Sequence, residues 1–578
     1  MNFIKSHKDS RLEKIAIPAG FNLNWIPEKW WKLITGNNSK RDVTVEIFRR
    51  PFEICVFSQI LWELKSGDLC IPGSEQFSDY REQLLSWDEY NAEIEIYGQQ
   101  AGIEVDAKKF VEKTKAWLAE GAKKADDAFP ANESLLIEKG EPVLKRDPKK
   151  ISPTHLKKVE RSIASRMEPI NILDALVDTD NWINWTRPFG PLSGFDAKLE
   201  DPSLKYVLTT FCYGSNLGPT QTARSVPGTD RRQIAWINQR HITEEKLDEA
   251  IKTVVNAYAK CPLPKLWGSG KHAAADGTRW NLYEQNLLSE YHVRYGGYGG
   301  IGYYHVSDTY IALFSHFIPC GVWEAVYILD GLLKNKSEIQ PDTIHGDTQG
   351  QSAPVFALSH LLGIDLMPRI RNWKDLKFFR PNPTDKYQHI DSLFSSNVDW
   401  DLIETHLPDM LRVALSIRTG KIAASTILRR LGTYSRKNRL YFAFRELGQV
   451  VRTVFLLKYL SDQNIRRTIQ SATNKSEAFN GYTKWVSFGG QGIIGENSRD
   501  EQRKIIKYNH LTSNLLILHT MYGIGSVLKK LEDENSLPDP EALSFMSPYL
   551  TEHINRFGDY RLNGDRQEPV PDVELSWI

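Results

Sequence analysis

HAAADGTRW, residues 272–280, opens the stretch whose pattern decides the fold. Its run of small residues reads as a strand, with Asp276 at the end of that run just before Gly277. YHVRY (291–295) and YYHVSDTYIALF (303–314) read as two more strands, separated by short polar or Gly-rich turns. GVWEAVYILDGLL (321–333) then reads as a helix, PDTIHGD (341–347) as a strand end, SAPVFALSHLLG (352–363) as a helix and LMPRIR (366–371) as a closing strand. Three strands followed by alternating helix and strand is the order of an RNase H-like α/β domain.

Outward from this stretch the chain is mainly helical. Upstream, PFEICVFSQILWELKSGDLCIPGS from Pro51 predicts a helix stopped at Ser66-Gly67 and then a short strand. Residues 104–123 predict a solvated helix in a unit that Pro130 ends, and the Pro- and Lys-rich residues 142–158 predict a linker. A second helical unit runs to residue 264, with Thr243 as the cap of its clearest helix. The expected division is 1–158, mainly helical with a linker; 159–264, helical scaffold; 265–500, the α/β domain with a basic helical insertion over about 380–467; and 501–578, a helical region and tail.

Composition narrows the class. With 578 residues, 41% hydrophobic residues and 16 Trp, the chain folds into several units with sizeable cores. Its formal net charge of +1 says nothing about a nucleic-acid partner. Residues 1–15 lack the apolar run of a secretory signal, and the most apolar long segment, 310–333, carries His316, Glu324 and Asp330. A soluble, cytoplasmic protein without a membrane partner is expected. Five scattered cysteines form no Cys-x-x-Cys pair, which argues against zinc fingers, redox dithiols and disulfides.

Residues 297–302 fit the spacing G-x-G-x-x-G, but β-type sequence follows them where a dinucleotide site needs a helix; a hairpin bend is expected instead. No Walker-type loop occurs. Asp276 and Asp347 (in HGDTQG) both stand where a strand gives way to a turn. Alone, each is an ordinary turn former. Brought together on one sheet, two carboxylates repel, and a hard divalent cation, Mg²⁺ or Mn²⁺, is the usual compensation. Glu477 lies in a predicted helix capped by Ser471 or Thr473, and Lys484, seven residues on, returns to nearly the same face. Between Arg412 and Arg467 thirteen basic residues face two acidic ones, Glu446 and Asp462, and interleave with Tyr434, Tyr441 and Phe444. Phosphate contact is the expected use of that block.

The wording of the motifs adds a resemblance. WGSGKHAAADGTRW, YYHVSDTY, YILDGLL, HGDTQG, FALSHLLGIDLMPRIRNWKDLKF, NKSEAFNGYTKWVSFGGQG and LLILHTMY, in this order over roughly 170–560, resemble the catalytic region of the Tn-three family of replicative transposases. That resemblance implies an RNase H-like catalytic domain with a helical insertion between its second aspartate and its glutamate. Matched motif to motif, Asp276, Asp347 and Glu477 fall on the family's metal-binding acidic triad, 71 and 130 residues apart by subtraction. Lys484 falls on a basic position after the glutamate. Two departures stand out: Ala274 and Ala275 replace small hydroxyl residues, and the N-terminal modules that read transposon ends are expected to be absent.

The resemblance implies Mg²⁺-dependent cleavage at transposon 3′ ends and transfer of the freed ends into target DNA, by a homodimer in the active complex. Lys484, Arg369, Arg371, Arg429, Arg430, Arg436 and Arg439 are the expected DNA contacts. His345 is expected to orient a ligand or to serve the loop structurally. The alternative is a truncated remnant that binds DNA or an intact transposase without catalysis.

Overall fold

The computed structural model describes residues 2–18, 20–36, 46–74, 77–145, 155–193, 199–283, 290–292, 297–320, 323–432 and 438–577. Its centre is a seven-stranded mixed sheet. The strands are β1 (His272–Leu282), β2 (Glu290–His292), β3 (Gly297–Ser307), β4 (Ala312–Pro319), β5 (Thr343–Gly346), β6 (Asp365–Leu366) and β7 (Ile493–Ile494). Across the sheet the order is β4-β3-β1-β5-β6, with β2 also on β3 and β7 on the far half of β1. The β1–β3 and β3–β4 pairs are antiparallel, whereas β5 runs parallel to both β1 and β6.

Three expectations for this sheet need correction. Residues 303–314 are not one strand: β3 ends at Ser307 and the chain reverses into β4. The reversal carries Tyr310 at φ 73°, a place where a glycine would have announced a turn and a tyrosine does not. Residues 297–302 are not a hairpin bend but the first half of β3. A Cβ on Gly300 would stand 2.1 Å from the Phe317 ring, so close strand packing explains the glycine. The closing strand starts at Asp365 and ends at Leu366, although Met367 and Arg369 still donate backbone hydrogen bonds to Ile344 and Gly346, at 2.8 and 2.9 Å.

Helices cover the sheet. The N-terminal ones are α1 (Arg49–Ser66) and α2 (Ala107–Ala128); α3 (Ile172–Ile183), α4 (Pro202–Gly214) and α5 (Glu244–Lys260) follow. α1 stops at Gly67 in the left-handed region, as its sequence predicts, but among the described residues the expected short strand does not follow it. Thr243 caps α5 by accepting from the Lys246 amide. After β4 come α6 (Ile328–Lys334), α7 (Ala353–Leu361), α8 (Trp400–Arg418), α9 (Ala424–Leu431), α10 (Arg439–Ser461), α11 (Gln463–Val486) and α12 (Arg499–Asp533). Residues 141–144 of the expected linker pair with 135–138 as a hairpin, and 146–154 lie outside the described residues.

α12 is long and apolar enough to cross a membrane by length and composition, yet 78% of its apolar window is buried inside the fold. It is the core helix, packed on α3, α4, α5 and β4. Its polar residues find internal partners: Asn514 donates to the Ala312 carbonyl at 2.8 Å, and Lys507 pairs with Asp248 at 2.5 Å. On the other side α2 packs against α8 and α10, so one continuous hydrophobic core runs from Tyr80 to Leu575. A second, small core gathers Ile15, Trp31, Phe52 and Cys55. Cys55, Cys212, Cys261 and Cys320 are buried, and Cys70 is exposed.

Burial makes this core acid-sensitive. His305 and His553 are pushed down to about 4 and His510 to about 3, chiefly by desolvation. They stay neutral when folded, while unfolded histidine titrates near pH 6.5. As pH falls from about 6.5 towards 4, the unfolded chain therefore binds more protons and stability drops, by up to about 1.4 kcal/mol per pH unit for each histidine. The thermal midpoint should fall steeply between pH 7 and pH 5; a flat profile would show that these rings already carry charge when folded.

Candidate active site where one parallel strand ends beside another

The register of β5 on β1 pairs Thr343 with His272 and ends with Gly346 opposite Ala275. Asp347 and Asp276 are the next residues of the two strands, so the aspartates stand side by side, about 4.8 Å apart in backbone spacing. β5 stops there, and Asp347 caps the single turn Thr348–Gln351 by accepting from the Gln349 amide at 2.9 Å. β1 does not stop. Asp276 lies midway along it, not at its end, and β7 takes up the exposed edge only at Asn281. The sheet is thus open beside Asp276, at the carboxyl end of β5, where open α/β sheets bind ligands.

α11 crosses this opening. Its cap is Asp462, which accepts from the Asn464 amide at 2.7 Å, so the helix begins well before Ser471 and Thr473. Thr473 bonds inside the helix, to the Ile469 carbonyl at 2.8 Å, and is no cap. Lys475 ties the helix down by donating to the carbonyls of Trp267 and Asp308, at 2.7 and 2.6 Å. Asn480 donates to Asp276 Oδ2 at 2.9 Å. Glu477 is exposed, one helical turn before Asn480 on the side of that contact. Lys484 is also exposed, its ammonium lowered by partial desolvation and then by the charge of Arg279 on β1. Among the described residues no three His, Cys, Asp or Glu side chains are gathered to hold a metal ion. The structure brings Asp276 and Asp347 to neighbouring positions and sets Glu477 on the helix that bonds to Asp276, without closing the trio.

One acidic residue at the site escaped the sequence reading. Glu324, only 9% exposed, lies in the turn Glu324–Tyr327 ahead of α6. Its Oε2 stands 2.4 Å from where a Cβ on Gly277 would be, which explains the glycine after Asp276. The signal was present as an acid in an otherwise apolar helical segment. Buried Tyr303 sits among these groups: desolvation, then Asp347, Glu324 and Asp276, hold its phenol well above the ordinary range. His345, by contrast, is structural. It is fully buried, stacks on His272 with ring centroids 5.2 Å apart, and donates to the Met367 carbonyl at 3.2 Å.

Comparison with known proteins now adds the decisive observation. Residues 174–560 match the family described as the Tn3 transposase DDE domain. The chain belongs to that family. It is 32% identical to the transposase for transposon Tn501 of Pseudomonas aeruginosa over 559 residues, covering 94% of this chain and 54% of that protein. It is 29% identical to the transposase for transposon Tn1546 of Enterococcus faecium over 561 residues, covering 96% and 55%. The chain therefore spans about half the length of these Tn3-family relatives. Asp276, Asp347, Glu477, Glu324 and Lys484 all fall within the Tn3 DDE match.

The basic block of this Tn3 DDE chain divides in two. Arg430 is buried and donates to the Leu64 carbonyl, closing the end of α1. Arg466, equally buried, donates to Tyr459 and Leu460 at the end of α10, at 2.8 and 3.2 Å. Arg412 donates to the Leu85 carbonyl at 2.6 Å and lies over Trp87. These guanidiniums serve helix ends and loops. Tyr441 and Phe444 are buried too, while Tyr434 and Arg436 lie outside the described residues. Arg429 is exposed, set over Tyr327, and Arg439 is exposed in the first turn of α10. Arg371 is exposed and Arg369 half-buried, its amide bonded to the Gly346 carbonyl just before Asp347.

Proposed function

We propose that this chain cuts and joins DNA strands in replicative transposition, with Asp276, Asp347 and Glu477 as its metal-holding carboxylates. The observation that carries the reading is the pair of aspartates where β5 ends beside the middle of β1, with α11 bonded to Asp276. The sheet order, three antiparallel strands flanked by two parallel ones, supports an RNase H-like domain. The donor set fits a hard cation: Asp276 and Asp347 supply carboxylate oxygens at the opening, and the imidazole of His345 is buried and bonded to the Met367 carbonyl. Bound there, Mg²⁺ or Mn²⁺ would act as a Lewis acid on a phosphodiester.

The chain's own residues do the rest. Asn480 fixes one oxygen of Asp276, and Asp347 is held by the Gln349 amide. Lys484 lies seven residues beyond Glu477 on α11, and the Arg369 amide bonds to Gly346 just before Asp347; with Arg371 they would neutralise a strand's phosphates. Water opens a phosphodiester to leave a 3′-hydroxyl and a 5′-phosphate; that hydroxyl then attacks a phosphodiester of the target and expels the target's 3′-hydroxyl, with no bond to the protein. A homodimer on DNA in the bacterial cytoplasm completes the proposal.

The test is purified chain with Mg²⁺ or Mn²⁺ and a pre-cut 3′ end, read as joined product. Binding to DNA without cutting or joining, even beside a supplied N-terminal partner, would favour the inactive remnant. Surface and interior arginines should separate as well. Changing Arg429 and Arg439 to Gln should weaken DNA binding and reduce the salt slope by about 0.9 for each phosphate that is no longer neutralised. Arg430→Gln should lower the melting temperature instead, and a change in salt slope from that variant would return it to the DNA surface.

A further inference from the structure

Beyond Asp347 the turn Thr348–Gln351 leads into α7, and a cleft of about 720 Å³ opens beside that helix's N-terminus. Trp323, Ser352, Phe442, Arg445 and Arg452 line it, and so do Lys377 and two carboxylates, Asp375 and Glu446, leaving three cations against two anions. Arg452, on α10, is largely enclosed. Its Nη1 donates to the Gln351 carbonyl at 3.2 Å, while its Nε is buried without a partner among the described residues. Its ionisation is lowered to about 10 by desolvation first and then by Arg445. Enclosing a cation costs several kcal/mol. Ser352 Oγ is likewise buried and unpartnered among the described residues, and although Ser352 is the cap residue of α7 its hydroxyl makes no cap bond. Glu446 lines the same cleft: it accepts from the Asp399 amide at 3.2 Å, and burial raises its carboxyl while the charge of Arg445 lowers it in part.

Two guanidiniums, an idle hydroxyl and the positive end of a nine-residue helix converge on one space. Such a cleft suits an anion. Half-buried Trp323 and Phe442 add flat apolar walls to it. We infer that this cleft is a nucleotide subsite, in which Arg452, Arg445 and Ser352 take one backbone phosphate of a single DNA strand leaving the aspartate pair. The base attached to that phosphate lies against Trp323 and Phe442. This assignment rests on the DNA-processing reading above, and its test is kept separate from the cutting assay.

The experiment uses the full chain without divalent metal, its Arg452→Met variant, and two probes: inorganic phosphate and a duplex with a 3′ single-stranded overhang. Arg452→Met should weaken overhang binding by roughly 10-fold and reduce its salt slope by about 0.7, the share of one single-strand phosphate. Phosphate should raise the melting temperature of the wild type and not of the variant. Without ligand the variant should melt no lower than wild type, because a desolvated charge has gone. A variant that melts lower and binds the overhang with unchanged affinity and slope overturns the assignment, leaving Arg452 a carbonyl cap for Gln351. Phosphate stabilisation through Arg452 without overhang binding overturns DNA as the source of the anion. Loss of overhang binding in a variant that still joins pre-cut ends at high DNA concentration supports the subsite.

Discussion

Asp347→Asn is expected to abolish strand cutting and joining while leaving the fold and DNA affinity intact. Asparagine keeps the shape of the side chain and an oxygen that can still accept from the Gln349 amide, so the turn after β5 survives. What it loses is the negative charge beside Asp276. If the two aspartates share a metal, that loss removes several kcal/mol of transition-state stabilisation, a fall on the order of 10³-fold or more in rate. The comparison is joined product from wild type and variant with Mn²⁺, set against DNA affinity measured with chelator. Equal product from both proteins would place the chemistry elsewhere.

A second large effect comes from helix packing alone. α7 and α10 cross with their backbones in contact at Gly448, where an added Cβ would come within 1.8 Å of the Ala353 carbonyl oxygen. Both partners are helix backbone, so neither can yield without moving a helix. Gly448→Ala should cost on the order of 3 kcal/mol and lower the thermal midpoint by several degrees. Gly481 on α11 makes the matching control: it is exposed and a Cβ there meets nothing within 4 Å. Gly481→Ala should therefore stabilise the protein, by up to about 1 kcal/mol. The same substitution thus has opposite signs on two helices. A neutral Gly448→Ala would mean that the two helices slide freely past one another.

The parts of the fold that were legible in the sequence are those set by local chemistry. Thr243 caps α5 and Gly67 ends α1, as their residue types require. Asp347 lies at a strand end as HGDTQG implies, since β5 is short and its turn immediate. Asp276 is harder to place because Gly277 looks like a turn residue, whereas it is small to admit Glu324 across the sheet. The start of α11 is hidden for a similar reason: Ser471 and Thr473 resemble caps, but Asp462 does the capping. The arginines show the limit of counting charge along the chain. Arg430 and Arg466 look like surface cations until the carbonyls they meet, Leu64 and Leu460, are brought to them by folding.

The order in which the chain delivers its parts has a consequence for synthesis. β1 and β5 lie within one contiguous stretch, so the two aspartates can meet soon after that stretch leaves the ribosome. α11 comes only after α8, α9 and α10, and until it arrives Tyr304 lacks the Phe479 ring that packs 5.4 Å away. Closing so long a loop is slow, and the nascent sheet waits with one face bare. That interval is when the protein is most prone to aggregate and when its carboxylate pair has no Asn480 beside it. Under the proposed function, chemistry that depends on α11 is therefore withheld from every copy in which that helix has not yet docked on the sheet.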